Sequence, residues 1–135
     1  MNTSQLPVPS AERANLSAAL ITRFILERGK MANGRVKWRA FEPDGNDNET
    51  SVFDVSTMEN DAVWVLGDRE VALPRGRDII ARAELSVLEA SMPPLFVERD
   101  EPPVRHMCIR GFPPEKEATK PLLMHLAAVA SLHVR

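Results

Sequence analysis

Residues 95–116 read LFVERDEPPVRHMCIRGFPPEK, and two Pro-Pro pairs divide the run into strand, turn, strand and helix start. LFVER (95–99) and VRHMCIRGF (104–112) are short runs carrying Val, Ile and Phe, residues that suit a pleated surface. DEPP between them turns the chain, because proline cannot continue a hydrogen-bonded ladder. In the second strand Met107 and Ile109 point one way while His106, Cys108 and Arg110 point the other, since side chains alternate across a sheet. Upstream, Ser91–Pro94 forms another turn. Before it, Ile79, Ala81, Ala83, Leu85 and Val87 alternate with Ile80, Arg82, Glu84 and Ser86, the period of a long half-buried strand. Three consecutive strands joined by short turns predict an antiparallel meander.

Downstream, Glu115 onward is helical, with Leu122, Leu126 and Val129 on the buried face. Pro121 either kinks this helix or lies in the first turn of a separate one capped by Thr119. In the N-terminal half, residues 1–9 hold two prolines and little to bury, so they read as a flexible arm before a single domain over 10–135. Leu16, Leu20, Ile21, Phe24 and Ile25 recur at three- and four-residue steps, which predicts a helix from Ala11 to Arg28, stopped by Gly29. Residues 34–41 alternate Val36, Trp38 and Ala40 with Arg35, Lys37, Arg39 and Phe41, a strand with one basic face. SVFDV is a further strand. Ser56 and Glu59 have capping-box spacing before a short helix from Thr57 to Leu66, closed by Gly67. The fold class expected is α+β: an antiparallel sheet of about four to five short strands covered by N- and C-terminal helices. Its core is expected to join Leu16, Leu20, Phe24, Leu85, Val87, Met107, Ile109, Leu122, Leu126 and Val129.

Composition narrows the function classes. At 135 residues the chain is long enough to bury a core, and one cysteine cannot form an internal disulfide. No apolar run reaches the roughly 18 residues of a membrane span, and the N-terminus lacks the basic and apolar regions of a signal peptide. The expectation is a cytoplasmic protein without a membrane partner. A net charge of -2 and an aromatic content of 5% disfavour a nucleic-acid binder, which needs positive charge and stacking surfaces.

Few residues invite chemistry. Asp44, Asn46 and Asn48 occupy alternate positions of a calcium loop, but Glu49 stands where glycine is needed and Val55 where a closing glutamate is needed. His106 and Cys108 share a strand face with about 6.6 Å between their Cα atoms, and no orienting third residue is assignable. Cys108 therefore reads as a buried structural residue. A metal would need His125 or His133, which lie two helical turns apart, so no metal ligands and no cofactor are assigned. Arg35, Lys37 and Arg39 form one basic stripe, and Arg105 with His106 a second. If their strands are neighbours, Arg35, Lys37, Arg105 and His106 converge on an anion such as a phosphate. The competing reading is that they solvate a sheet face and pair with Glu84, Glu98 or Asp100.

The series RVKWRAFEP, SVF, VWVLG, ARAEL and RHMCIRGFPPEK resembles a group of small uncharacterised bacterial proteins, with the similarity spanning Ile21 to Leu132. The resemblance implies a bacterial, cytosolic, single-domain protein and supplies no activity, cofactor or catalytic residue. The function expected is that of a non-enzymatic accessory or interaction protein acting through a macromolecular partner, either another protein or a second copy of itself. The alternative is an enzyme or sensor handling a nucleotide or other phosphorylated small molecule in a basic pocket. A third reading, resting on size and bacterial character alone, is a component of a toxin–antitoxin or phage-defence module.

Overall fold

LITRFI at residues 20–25 buries Ile21 and Ile25 on one side and Thr22 and Phe24 on the other, and it is a strand rather than part of a helix. The computed structural model describes residues 19–43 and 47–135. The arm at 1–9, the start of the expected first helix with Leu16, and the first residues of the polar loop lie outside the described residues. The elements begin with β1 (Leu20–Ile25), β2 (Met31–Ala32), β3 (Arg35–Val36), β4 (Thr50–Asp54) and α1 (Asn60–Gly67). A π-helical turn (Asp68–Ala72) leads to α2 (Leu73–Arg75), β5 (Ala81–Ser86), α3 (Val87–Ala90), β6 (Phe96–Arg99), β7 (His106–Arg110), α4 (Lys116–Val129) and β8 (Ser131–Val134). Single 3-10 turns lie at Arg28–Lys30 and Trp38–Phe41.

Among the described residues, the main sheet has six antiparallel strands in the order β6-β7-β4-β1-β5-β8, and β2 pairs with β3 in a separate ribbon. The α+β class and the antiparallel sheet are as expected. The meander is not: β6 and β7 form a hairpin, but β4 and β1 lie between β7 and β5. β1 is central, flanked by β4 and β5 and buried on both faces, so its apolar residues crowd together instead of alternating. Ile21 and Ile25 are four apart, a spacing that a helix and a strand both place on one face. The three β-branched residues Ile21, Thr22 and Ile25 mark the strand.

Other local expectations shift for identifiable reasons. The strand over 34–41 is reduced to Arg35–Val36, after which the chain coils into the 3-10 turn. The Ser56 hydroxyl donates to Asp54 Oδ1 at 2.6 Å and accepts from the Leu20 amide, so it does not cap α1, which starts at Asn60. A capping box forms instead at Ser86 and Glu89, and it ends β5 by starting α3. Gly67 does not close its helix. It lies where an added Cβ would stand 2.6 Å from the Phe24 ring, and helical backbone continues to Gly76 at φ 62°. α4 is one helix with Pro121 inside it, and β8, unforeseen, follows it directly.

Among the described residues two apolar clusters form, one on each sheet face. α4, α3 and the Trp38–Phe41 turn cover Ile21, Ile25, Val52, Ala83, Leu85, Met107 and Ile109. On the opposite face, Val63, Trp64 and Leu66 of α1 cover Phe24, Phe53 and Ile79. Of the expected core, Leu85, Val87, Met107, Ile109, Leu122 and Leu126 do assemble, with Val129 packed against them. Phe24 belongs to the other cluster and Leu20 is 37% exposed, because β1 points alternate residues to opposite faces.

A basic groove around Trp38

The turn that carries Trp38 is tied to the sheet by two buried polar side chains. Arg23 donates from Nε to the Ala40 carbonyl at 3.0 Å and from Nη1 to the Ser51 carbonyl at 2.9 Å. Thr50 Oγ1 donates to the Phe41 carbonyl at 2.6 Å. With Ala40 and Phe41 buried, these bonds fix the turn and hold Trp38 against α4. Arg39 lies 4.7 Å and Lys120 5.1 Å from the Trp38 ring centroid, within cation–π range.

Trp38 is the common wall of two adjoining cavities of about 470 and 640 Å³. The first is bounded by Arg39, Glu42, Pro113, Pro114, Lys116 and Lys120. Arg35, Lys37, Met124, Ala127 and Leu132 bound the second. Along α4, Lys116, Lys120, Met124 and Ala128 recur every four residues, a stripe that faces these cavities while Leu122 and Leu126 face the core. Among the described residues, five cations line the two cavities against one carboxylate, Glu42, which pairs with Arg39 at 3.7 Å. Among the described residues, Arg35, Lys37, Lys116 and Lys120 have no carboxylate partner.

The other expected pair lies elsewhere. β3 packs against β8 and α4, whereas Arg105 and His106 lie at the start of β7, four strand positions from β8. That is about 19 Å across a sheet with strands about 4.8 Å apart. The four residues Arg35, Lys37, Arg105 and His106 therefore do not meet at one site, because their strands are not neighbours. Arg105 is engaged structurally. Its amide donates to Glu101 and its guanidinium to the Asp54 carbonyl and Thr57 Oγ1. His106 packs edge-on to Phe53, with Nδ1 2.8 Å from the Asp100 carbonyl.

Cys108 is fully buried, yet its cross-strand neighbours are Ser51 and Glu98 rather than apolar residues. Burial and a hydrogen bond to Asp100, with the Asp100 and Glu49 charges, push its thiol up to about 12. It is protonated at neutral pH. Nearby, Arg110 donates from Nε to Glu49 at 2.6 Å, a bond that raises its own pKa.

The groove members that the sequence reading missed are Lys116 and Lys120. Their four-residue spacing is the available signal, but only the tertiary fold brings the 38–43 segment opposite them to complete the groove. Searches with protein-family models and against curated proteins and solved structures give no match.

Proposed function

We propose that this protein is a non-enzymatic interaction protein that captures an acidic, extended segment of a partner protein along the Trp38 groove. The supporting observation is the line of Arg35, Lys37, Lys116 and Lys120 around a ring already contacted by two cations. Lys116 to Ala128 spans about 18 Å of helix, room for about five extended residues. Carboxylates of such a segment meet the lysines and arginines, and its apolar side chains lie on Trp38, Pro113 and Met124. A protein segment suits this groove better than a nucleic acid: the chain carries net charge -2, and the one aromatic ring lining the groove among the described residues offers no stacking series. The bacterial, cytoplasmic setting implied by the sequence resemblance is part of the same proposal.

The test is fluorescence anisotropy of a labelled Asp/Glu-rich peptide containing one leucine, with inorganic phosphate, a nucleotide and oligo-dT as competitors. Binding is expected to saturate and to weaken with salt, as screened charges do. The double variant K116E/K120E should lose at least about tenfold in affinity, since attraction becomes repulsion. Both lysines are on the groove face, so the thermal midpoint should be unchanged. Peptide binding insensitive to the reversal would sink the proposal. Binding of phosphate or nucleotide without the peptide would replace it with the phosphorylated-ligand reading.

A further inference from the structure

On the sheet face away from α4, three chemically different ligand atoms meet at the β6–β7 hairpin. Cys108 Sγ lies 3.4 Å from Asp100 Oδ2, and His106 Nδ1 lies 3.6 Å from the same oxygen. All three atoms are within 4.8 Å of one another. A tetrahedral zinc with bonds of about 2.3 Å to sulfur and about 2.0–2.2 Å to nitrogen and oxygen has ligand–ligand edges of about 3.4–3.6 Å. Two of the three edges are already at that length. The hairpin register explains why: Glu98 opposes Cys108 and Arg99 opposes Met107, so Asp100 leaves β6 beside the His106 end of β7. The Asp100 amide donates to the His106 carbonyl at 3.0 Å, which fixes the backbone carrying the carboxylate.

We propose that Asp100, His106 and Cys108 form a binding site for a divalent cation of the zinc class. Sulfur, imidazole and carboxylate together select a borderline-soft ion rather than magnesium or calcium, which prefer oxygen alone. Asp100 is 44% exposed at its side chain and His106 is 13% exposed, so the ion enters past Asp100 and keeps a fourth position toward solvent. The carboxylates of Asp100 and Glu49 that disfavour a free thiolate favour a bound dication. On binding, the Cys108 proton is released to solvent and the S–H···O contact gives way to a sulfur–metal bond. His106 exchanges its 2.8 Å contact with the Asp100 carbonyl for the metal, its remaining proton moving to Nε2. Arg110 opposes the ion, but its shortest bond goes to Glu49, so it does not depend on Asp100, from which it stands 3.7 Å. Glu98, 3.5 Å from Arg110, offsets that positive charge.

The test uses the full chain with cobalt(II) as the spectroscopic probe and zinc as the competitor. Cys108 is the sole cysteine, so a thiolate-to-cobalt charge-transfer band at one cobalt per chain reports this site without any variant. Zinc should abolish the band. Calorimetry in buffers of differing ionisation heat should show proton release, and affinity should fall with decreasing pH as the Cys108 thiol retains its proton against the metal. Asp100→Asn, a change at a partly exposed position, should weaken binding by more than about tenfold. Absence of the band in the wild-type protein overturns the site. So does a band whose cobalt affinity is unaltered in Asp100→Asn.

Discussion

Asp54 shows how much one side chain organises here. Burial disfavours its charge, but the hydroxyl and amide of Ser56 and the guanidinium of Arg99 all donate to it. Together they hold its carboxyl below the usual range. The same Ser56 hydroxyl receives the Leu20 amide, so the carboxylate orients the link between β1 and the segment leading to α1. A depressed folded pKa means that its contribution is present above the unfolded value of about 3.9 and is lost as pH falls through the folded value. Asp54→Asn should therefore make the acid limb of a stability–pH curve shallower than that of the wild type. Denaturant midpoints measured from pH 6 down to about pH 2 would check this, and parallel curves would refute it. The sequence showed Asp54 only as a polar member of a strand. Its third donor, Arg99, comes into reach only because β7 places the hairpin beside β4.

At the scale of elements, α4 has two distinct faces. Leu122, Leu123 and Leu126 are buried against the sheet, and Lys116, Lys120 and Met124 turn to the groove. Leu126 has no exposed surface, so Leu126→Ala should cost about 2–5 kcal/mol, from lost transfer energy and a residual cavity. An unchanged denaturant midpoint would show that α4 does not cover the sheet. The buried face of this helix was legible from its 3.6-residue period, since a long amphipathic segment carries that signal several times over. The strand character of β1 is hidden in the sequence for the complementary reason. A six-residue run buried on both faces has no polar alternation to reveal its period, and only its β-branched content favoured the strand.

Across the whole molecule, β8 closes the sheet at the edge of β5. Leu132 packs against the main core, and Arg135 holds Asp68 through two bonds of 2.6 and 2.7 Å. That ion pair is partly exposed, so alone it is worth no more than about 1 kcal/mol. The strand pairing matters more. Removing residues 131–135 should lower the thermal midpoint and expose β5 as an unpaired edge that associates with other copies. Size-exclusion chromatography would detect the association, and a stable monomer would contradict it. The sequence by itself determined the α+β class, the antiparallel strands, the β6–β7 hairpin with its alternating faces and the buried face of α4. Each of these is written in local periods and turn residues. Only the tertiary structure decided that β1 is a central strand, that β4 and β1 separate β5 from the hairpin, and that Arg35 and Arg105 lie far apart. It likewise placed Lys120 against Trp38 and Asp100 beside Cys108. Strand order and such meetings depend on contacts between residues distant in the chain, and no local period records them.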